Sequence, residues 1–300
     1  MLITNAMIAS ASETDENVTV VIAEKTGLTQ INAKCAVDAT GDANLVTACG
    51  YDVLKSEEVQ PATLQNHISG YVYNDEIEKN VKEKFAQNSF PDYITEKKIL
   101  HYLKINKIDV HVPSKDADTS EGKTKAEILS LEMILKIYEF FKRIKGLENI
   151  TVDFIAAETG IRESNRIDAL TVINSDDYIN GRFYDDSICY AFYPIDLHVM
   201  HAIEQKFFEE NVVGKIPYSS LVPKKSKRII CAGRCIGSDR YANSAVRVEA
   251  VCMATGQAAG FAAYLCAKDN CTAADVDYLK LCSLLEENGA IVPKNVSHKN

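Results

Sequence analysis

Residues Cys231 to Gly260 read CAGRCIGSDRYANSAVRVEAVCMATGQAAG. The apolar run "RIICAG" leads into them, and almost no large side chain follows. The order is buried strand, glycine exit, thin loop, and a helix of Ala, Gly, Thr and Cys. It restricts the chain to folds in which something approaches that backbone closely. Gly233 allows a sharp exit because it carries no Cβ. Gly237, Ser238 and Ala242 keep the loop thin. A helix starting near Ser244 or Ala245 would offer free N–H groups and a positive dipole end to an anion or an electron-rich group. Gly256, Ala259, Gly260 and Ala263 would flatten one side for packing on strands. A tightly packed helix with no ligand satisfies the same pattern, so both readings stand.

A second strand end occurs in "AKCAVDATGDAN", where an apolar run meets Gly41 with Asp42 beside it. Fully apolar short runs are the mark of strands covered on both faces. Ligands in open α/β sheets sit off the carboxyl ends of strands. The expectation is that the tips near Thr40 and Gly233 lie side by side over a groove floored by main chain. The fold class expected is α/β, with a sheet domain built from residues 1–60 and 216–300 and an inserted α+β module over 61–215. Within the insert, a helix is expected from about Lys125 to Lys145. Thr124 and Glu127 would form its capping box, and Ile128, Leu131, Leu135, Tyr138 and Phe141 its apolar face. "HAIEQKFFEEN" reads as a short helix.

Composition narrows the partners. The net charge of −9 argues against a broad basic surface for nucleic acid or anionic lipid. Residues 250–267 carry no charge, but their alanine, Thr255 and Gln257 content points to a buried helix rather than a membrane span. The nine cysteines include no C-x-x-C pair, which fits a reducing cytoplasm. Cys231 and Cys235 are spaced C-x-x-x-C, with Cys252 further on. That spacing does not support an iron–sulfur cluster. Cys235 is a candidate redox-active thiol, whereas Cys231, Cys252 and Cys266 read as core.

Two further motifs carry chemistry. "GIRESNRI" sets Arg162 and Arg166 four residues apart, on one face of an extended chain. Two guanidiniums there could clamp a carboxylate substrate, or could serve as ion-paired structural arginines. "YPIDLHVMH" offers His198 as a proton-transfer residue oriented by an acid. Asp196, His198 and His201 could instead ligate a metal in a hydrolase.

The blocks "AKCAVDATGDANL", "QPATL", "GIRESNRI", "YPIDLH", "IPYSSLVPK", "AGRCIGSDRYANSAVRVEAVCMATGQAAG" and "LEENGAIVP" together resemble the bacterial FAD-dependent oxidoreductases. That group is classed near the heterodisulfide-reductase-like flavoproteins, with a glutathione-reductase-type, three-layer FAD domain. The resemblance spans nearly the whole chain. It implies FAD along Thr40, Gly41 and Asp42, past Gly233 and Arg234, and against the helix at Ser244. Asp239 and Arg240 would lie near the ribityl chain or flavin, and Arg247 at the helix start. Arg162, Arg166 and His198 would serve a small, anionic substrate. The family pattern opens with a G-x-G-x-x-G turn that holds the pyrophosphate. No two of the 14 glycines here are separated by a single residue. The chain therefore reads as the carboxyl-terminal part of a flavoenzyme, needing a partner polypeptide to bind FAD well, or as a non-catalytic remnant.

Overall fold

The two runs that read as buried strands, Ala36–Asp38 and Ile229–Cys231, pair in parallel, with Val37 opposite Ile230 and Asp38 opposite Cys231. A computed structural model of the chain describes residues 1–295, so 296–300, the end of the segment assigned to the sheet domain, lie outside the described residues. Strands β1 (Met7–Glu13), β2 (Val18–Glu24) and β3 (Gly27–Ala33) precede β4 (Ala36–Asp38) and a short helix, α1 (Asn44–Ala48). Then come β5 (Val53–Leu54), β6 (Ala62–Thr63), β7 (Asn66–Ser69), α2 (Asp75–Phe85), α3 (Glu96–Ile105), β8 (His111–Val112) and the long α4 (Ser120–Lys142). Next are β9 (Thr151–Ile155), β10 (Arg166–Ile167), α5 (Ser175–Ile179), β11 (Ser187–Ala191), β12 (Ile195–His198), β13 (Ile203–Lys206) and β14 (Gly214–Pro217). The last elements are β15 (Ile229–Cys231), α6 (Arg240–Val246), α7 (Glu249–Asp269) and α8 (Tyr278–Glu287). The chain is mixed α/β.

The chain folds as two compact units. The first comprises Met1–Glu57, Glu163–Leu197 and the described residues from Glu204 onward; the second comprises Glu58–Arg162 and His198–Ile203. In the first unit, β1, β2 and β3 form an antiparallel meander. Its main core gathers Ile188, Ile216, Ile230, Ala258, Ala262 and Leu281; a second cluster joins Val18, Leu45, Val46, Ile167 and Ile229. The second unit sets the two-stranded pairs β6–β8 and β7–β9 with helices α2, α3 and α4 around Leu64, Ile68, Ile99, Leu103, Ile137 and Phe141. Each such side chain, once fully buried, contributes about 1.5–3 kcal/mol.

Several elements differ from the sequence reading. The helix expected from about Lys125 starts a turn earlier, because the hydroxyl of Thr119, in extended conformation, accepts from Gly122 N–H at 3.0 Å and caps it. Glu127, assigned to a capping box, instead accepts from Thr159 N–H and Oγ1, both at 2.7 Å. The buried stripe of α4 runs through Ala126, Met133, Ile134, Ile137, Phe140 and Phe141. Ile128, Leu131 and Leu135 are 52%, 47% and 55% exposed, so α4 has two apolar faces and the core takes the one with the aromatics. Residues 203–206, read as helical, form β13, which pairs with β12.

The small-residue segment also departs from its reading. It is two helices, not one. Asp239 Oδ1 accepts from Ala242 N–H at 2.7 Å, which starts α6 at Arg240. Asp239 is in extended conformation and its carboxylate reaches the third residue on, as a cap requires. The chain breaks at extended Val248, and α7 restarts at Glu249. Ser244 is therefore an interior residue of α6, with no free helix N-terminus at its position. α7 buries Val251, Thr255, Ala258, Ala259 and Ala262. Gly256 and Gly260 do not face strands: a Cβ built on either meets nothing within 4 Å. Among the described residues α7 is the one helix long and apolar enough to cross a membrane, by length and composition alone.

Candidate functional site

The parallel pairing places the carboxyl ends of β4 and β15 next to each other in the first unit, and Ala232 N–H donates to Asp38 O at 3.0 Å. Asp38, 1% exposed, organises the turn that follows β4. Its Oδ1 accepts from Thr40 Oγ1 at 2.7 Å and Thr40 N–H at 3.0 Å. Its Oδ2 accepts from Leu45 N–H at 2.9 Å and Val46 N–H at 3.2 Å, which satisfies two donors at the start of α1. Thr40 Oγ1 in turn accepts from Asn44 N–H at 2.9 Å. Thr40 is thus tied into the turn, and the carboxylate that holds it is Asp38, which the sequence reading passed over in favour of Asp42.

Gly41 and Gly233 both have φ of +81°, the left-handed region that favours glycine. The expected floor of bare main chain is not found between them. The Arg234 guanidinium lies against Gly41, where a Cβ would come within 3.0 Å of Arg234 Cζ. Arg234 Nη2 pairs with Asp42 Oδ1, which also accepts from Ser164 Oγ. Arg234 Nε is buried with no hydrogen-bond partner. The site at the strand ends is a guanidinium held by one carboxylate, with donor capacity to spare.

The other candidate residues of this unit take part in hydrogen bonds and ion pairs of the fold. Asp239 caps α6 with one oxygen and accepts from Ser175 N–H at 2.6 Å with the other. Ser244 Oγ donates to Tyr241 O at 2.7 Å and accepts from Asp196 N–H at 3.0 Å. Arg247 N–H closes α6 on Asn243 O at 3.1 Å. Cys235 is fully buried in the core rather than in an open loop. Arg166 donates to Glu163 Oε1 at 2.7 Å, to Ser56 Oγ at 3.0 Å and to Ser238 O at 3.0 Å. Arg240 Nε lies 3.6 Å from Glu163 Oε2. Glu163 therefore sits, fully buried, between Arg166 and Arg240, which makes Arg166 an ion-paired structural arginine.

The second unit holds a different arrangement. Arg162 Nη1 donates to Pro61 O at 2.6 Å and to Thr63 Oγ1 at 2.9 Å. Thr63 Oγ1 lies 3.0 Å from His111 Nδ1, and His111 Nε2 lies 3.0 Å from His198 Nδ1. Gln60 Oε1 accepts from His198 N–H at 3.3 Å. Arginine cannot accept a hydrogen bond. His111 Nδ1 is the one acceptor among the hydrogen-bond partners of the Thr63 hydroxyl, so its proton is directed there, and in that tautomer His111 carries its proton on Nε2 and donates to His198 Nδ1. Burial, helped by the charges of Arg162 and Lys98 and by His198, lowers the His111 pKa to about 3 and keeps that ring neutral. Two predicted residues, Arg162 and His198, are brought into one chain by Thr63 and His111, neither of which was singled out. Arg166 is not part of it. The one cue for His111 was its place in the extended run "DVHVP".

Comparison with known proteins bears on the cofactor. The profile of the family described as FAD dependent oxidoreductase matches residues 1–285. The chain belongs to the FAD dependent oxidoreductase family. No curated protein matches it in sequence. Among solved structures it is similar to p-nitrophenol 4-monooxygenase PnpA from Pseudomonas putida DLL-E4, at 11% identity and a TM-score of 0.30. That match covers 95% of this chain and 50% of the other, so the chain spans about half the length of that enzyme. At this level of likeness nothing about a site carries over.

Membership in the FAD dependent oxidoreductase family implies FAD. The residues present fit it in part. Arg234 offers a buried, unpartnered N–H beside two thin glycine turns, which suits an electron-rich group. Asp239 and Ser244 have their side chains spent on backbone groups, and no G-x-G-x-x-G turn occurs in the sequence to hold a pyrophosphate. Among the described residues, no three His, Cys, Asp or Glu side chains gather as metal ligands.

Proposed function

We propose that this chain is the substrate-handling and flavin-contacting part of an FAD-dependent oxidoreductase that acts on a small, anionic substrate in the cytoplasm. The observation that carries the proposal is the parallel pairing of β4 with β15, which sets Gly41, Asp42, Gly233 and Arg234 at adjacent strand ends in a member of this family. In this reading those ends belong to a three-layer FAD domain, and the substrate module is the second compact unit, Glu58–Arg162 with His198–Ile203, rather than the whole of 61–215 expected from sequence, because Glu163–Leu197 folds with the strand ends. When bound, FAD supplies the hydride or electron transfer. Arg234 donates to the cofactor, and Asp42 holds the guanidinium in place. His198 acts as a proton donor, and Arg162 fixes the direction of the histidine chain through Thr63.

The lack of a phosphate-binding turn supports a partner polypeptide carrying G-x-G-x-x-G. Titration with FAD, followed by flavin fluorescence and thermal stability, tests this. Weak or no binding by the chain alone is expected, with tight binding once such a polypeptide from the same genome is added. Stoichiometric FAD on the chain alone would remove the need for a partner; no binding in either case would overturn the flavin reading. The same missing turn favours a second reading, a non-catalytic remnant. It predicts no turnover of any donor even when added FAD and the turn-bearing polypeptide are present.

A further inference from the structure

A cavity of about 180 Å³ opens within the second unit, apart from the strand-end site. It is smaller than the roughly 300–1,000 Å³ of drug-sized sites, so any occupant is small. Its polar lining comes from Lys98, His101, Tyr102, Asp109 and His111, and its apolar lining from Val199, Ala202 and Ile203. Tyr102 is 2% exposed, and its hydroxyl has no hydrogen-bond partner among the described residues. Leaving a buried hydroxyl unpaired costs about 1–3 kcal/mol. Lys98 Nζ donates to Tyr93 O and Met200 O, both at 3.0 Å, which orients the ammonium and leaves its third proton over. Burial works against that charge, and Asp109 works in its favour. Asp109 makes no hydrogen bond or ion pair with any described residue. The cavity thus combines a cation, an anion and a hydroxyl donor, none of them hydrogen-bonded to another.

We infer that this cavity binds a small zwitterion, an amino acid with a short apolar side chain. Its carboxylate meets Lys98 and the Tyr102 hydroxyl, its ammonium meets Asp109, and its side chain packs on Val199 and Ile203. A purely anionic ligand would leave Asp109 facing a like charge, and a purely cationic one would do the same to Lys98. The inference does not depend on FAD, and its test contains none.

The test is calorimetric titration of the full chain with L-2-aminobutyrate, butyrate and propylamine. The last two are the first lacking its ammonium or its carboxylate. Saturable binding of 2-aminobutyrate is expected, at least about tenfold tighter than either half-ligand, as loss of one charged hydrogen bond implies. Tyr102→Phe should weaken it about tenfold while leaving the ligand-free melting temperature unchanged or higher, since it removes only the orphaned hydroxyl. Lys98→Met should weaken it by at least as much. Equal affinity for butyrate or propylamine, no saturable binding of 2-aminobutyrate, or undiminished affinity in Tyr102→Phe would each overturn the inference.

Discussion

Asp38 and His111 are both polar groups at the end of a strand, yet their surroundings are built on opposite plans. The Asp38 carboxylate accepts from four donors, two in the turn that follows it and two at the start of α1. Glu163 is closed in the same way, by Arg166, Ser56 and Arg240. Around His111 the hydrogen bonds form a directed chain instead, and the neighbouring Tyr102 and Asp109 are left without partners. A buried polar network that satisfies itself specifies the fold. One that carries unmet donors and acceptors has capacity for something else. The contrast separates the self-satisfied carboxylates Asp38 and Glu163 from the unmet groups around His111.

The sharpest way to break the contrast is to open a closed network. Glu163→Ala leaves Arg166 buried without its carboxylate and should cost about 3–5 kcal/mol, read from chemical denaturation. A loss near zero would mean the pair is not closed. Asp38→Ala should cost about 2–3 kcal/mol, from the lost cap and the N–H groups it orphans, with Asp38→Asn retaining part of it.

The histidine chain predicts a pH signature. Above about pH 6.5, His111 is neutral whether folded or unfolded. Below that, the unfolded chain gains a proton that the folded site refuses until about pH 3. Stability therefore falls as pH drops from about 6.5 toward 3, and His111→Phe should flatten that part of the curve. Thr63→Val should cost about 1 kcal/mol and free His111 to change tautomer, visible in its ring nitrogen chemical shifts. An unchanged tautomer would show that Thr63 does not set the direction. The smallest effect has the opposite sign. Gly256→Ala should stabilise by about 0.5–1 kcal/mol, because a helix gains from losing glycine and the new methyl meets nothing. Destabilisation would mean that this edge of α7 is covered.

Much of this was legible in the sequence where burial is local. "CAVDA" and "RIICA" are apolar almost without a break, and both are strands. Their pairing followed from the glycine exits after them. What was not legible depended on choices between equivalents. α4 has two apolar faces, and only the folded unit decides which is buried. Asp239 and Ser244 are about equal as helix caps, and only the folded unit shows that Asp239 takes the N–H of Ala242 while Ser244 bonds inside α6. Asp38 and Asp42 flank one turn, yet only the first is placed to reach the N–H groups of α1. Arg162 and Arg166 look interchangeable four residues apart, but one donates to Thr63 and the other to Glu163. His111 could not be assigned, because its partners, Thr63 and His198, lie far away in sequence.

The join between β4 and β15 has a consequence for how this protein is made. Its partners stand about 190 residues apart in the chain. At synthesis rates of about 5–20 residues per second, roughly ten to forty seconds separate the emergence of one from that of the other. The β1–β3 meander, whose neighbours are adjacent in sequence, can close during that interval. β4 spends it without its parallel neighbour, and the turn that carries Gly41 and Asp42 is completed among the last features of the molecule.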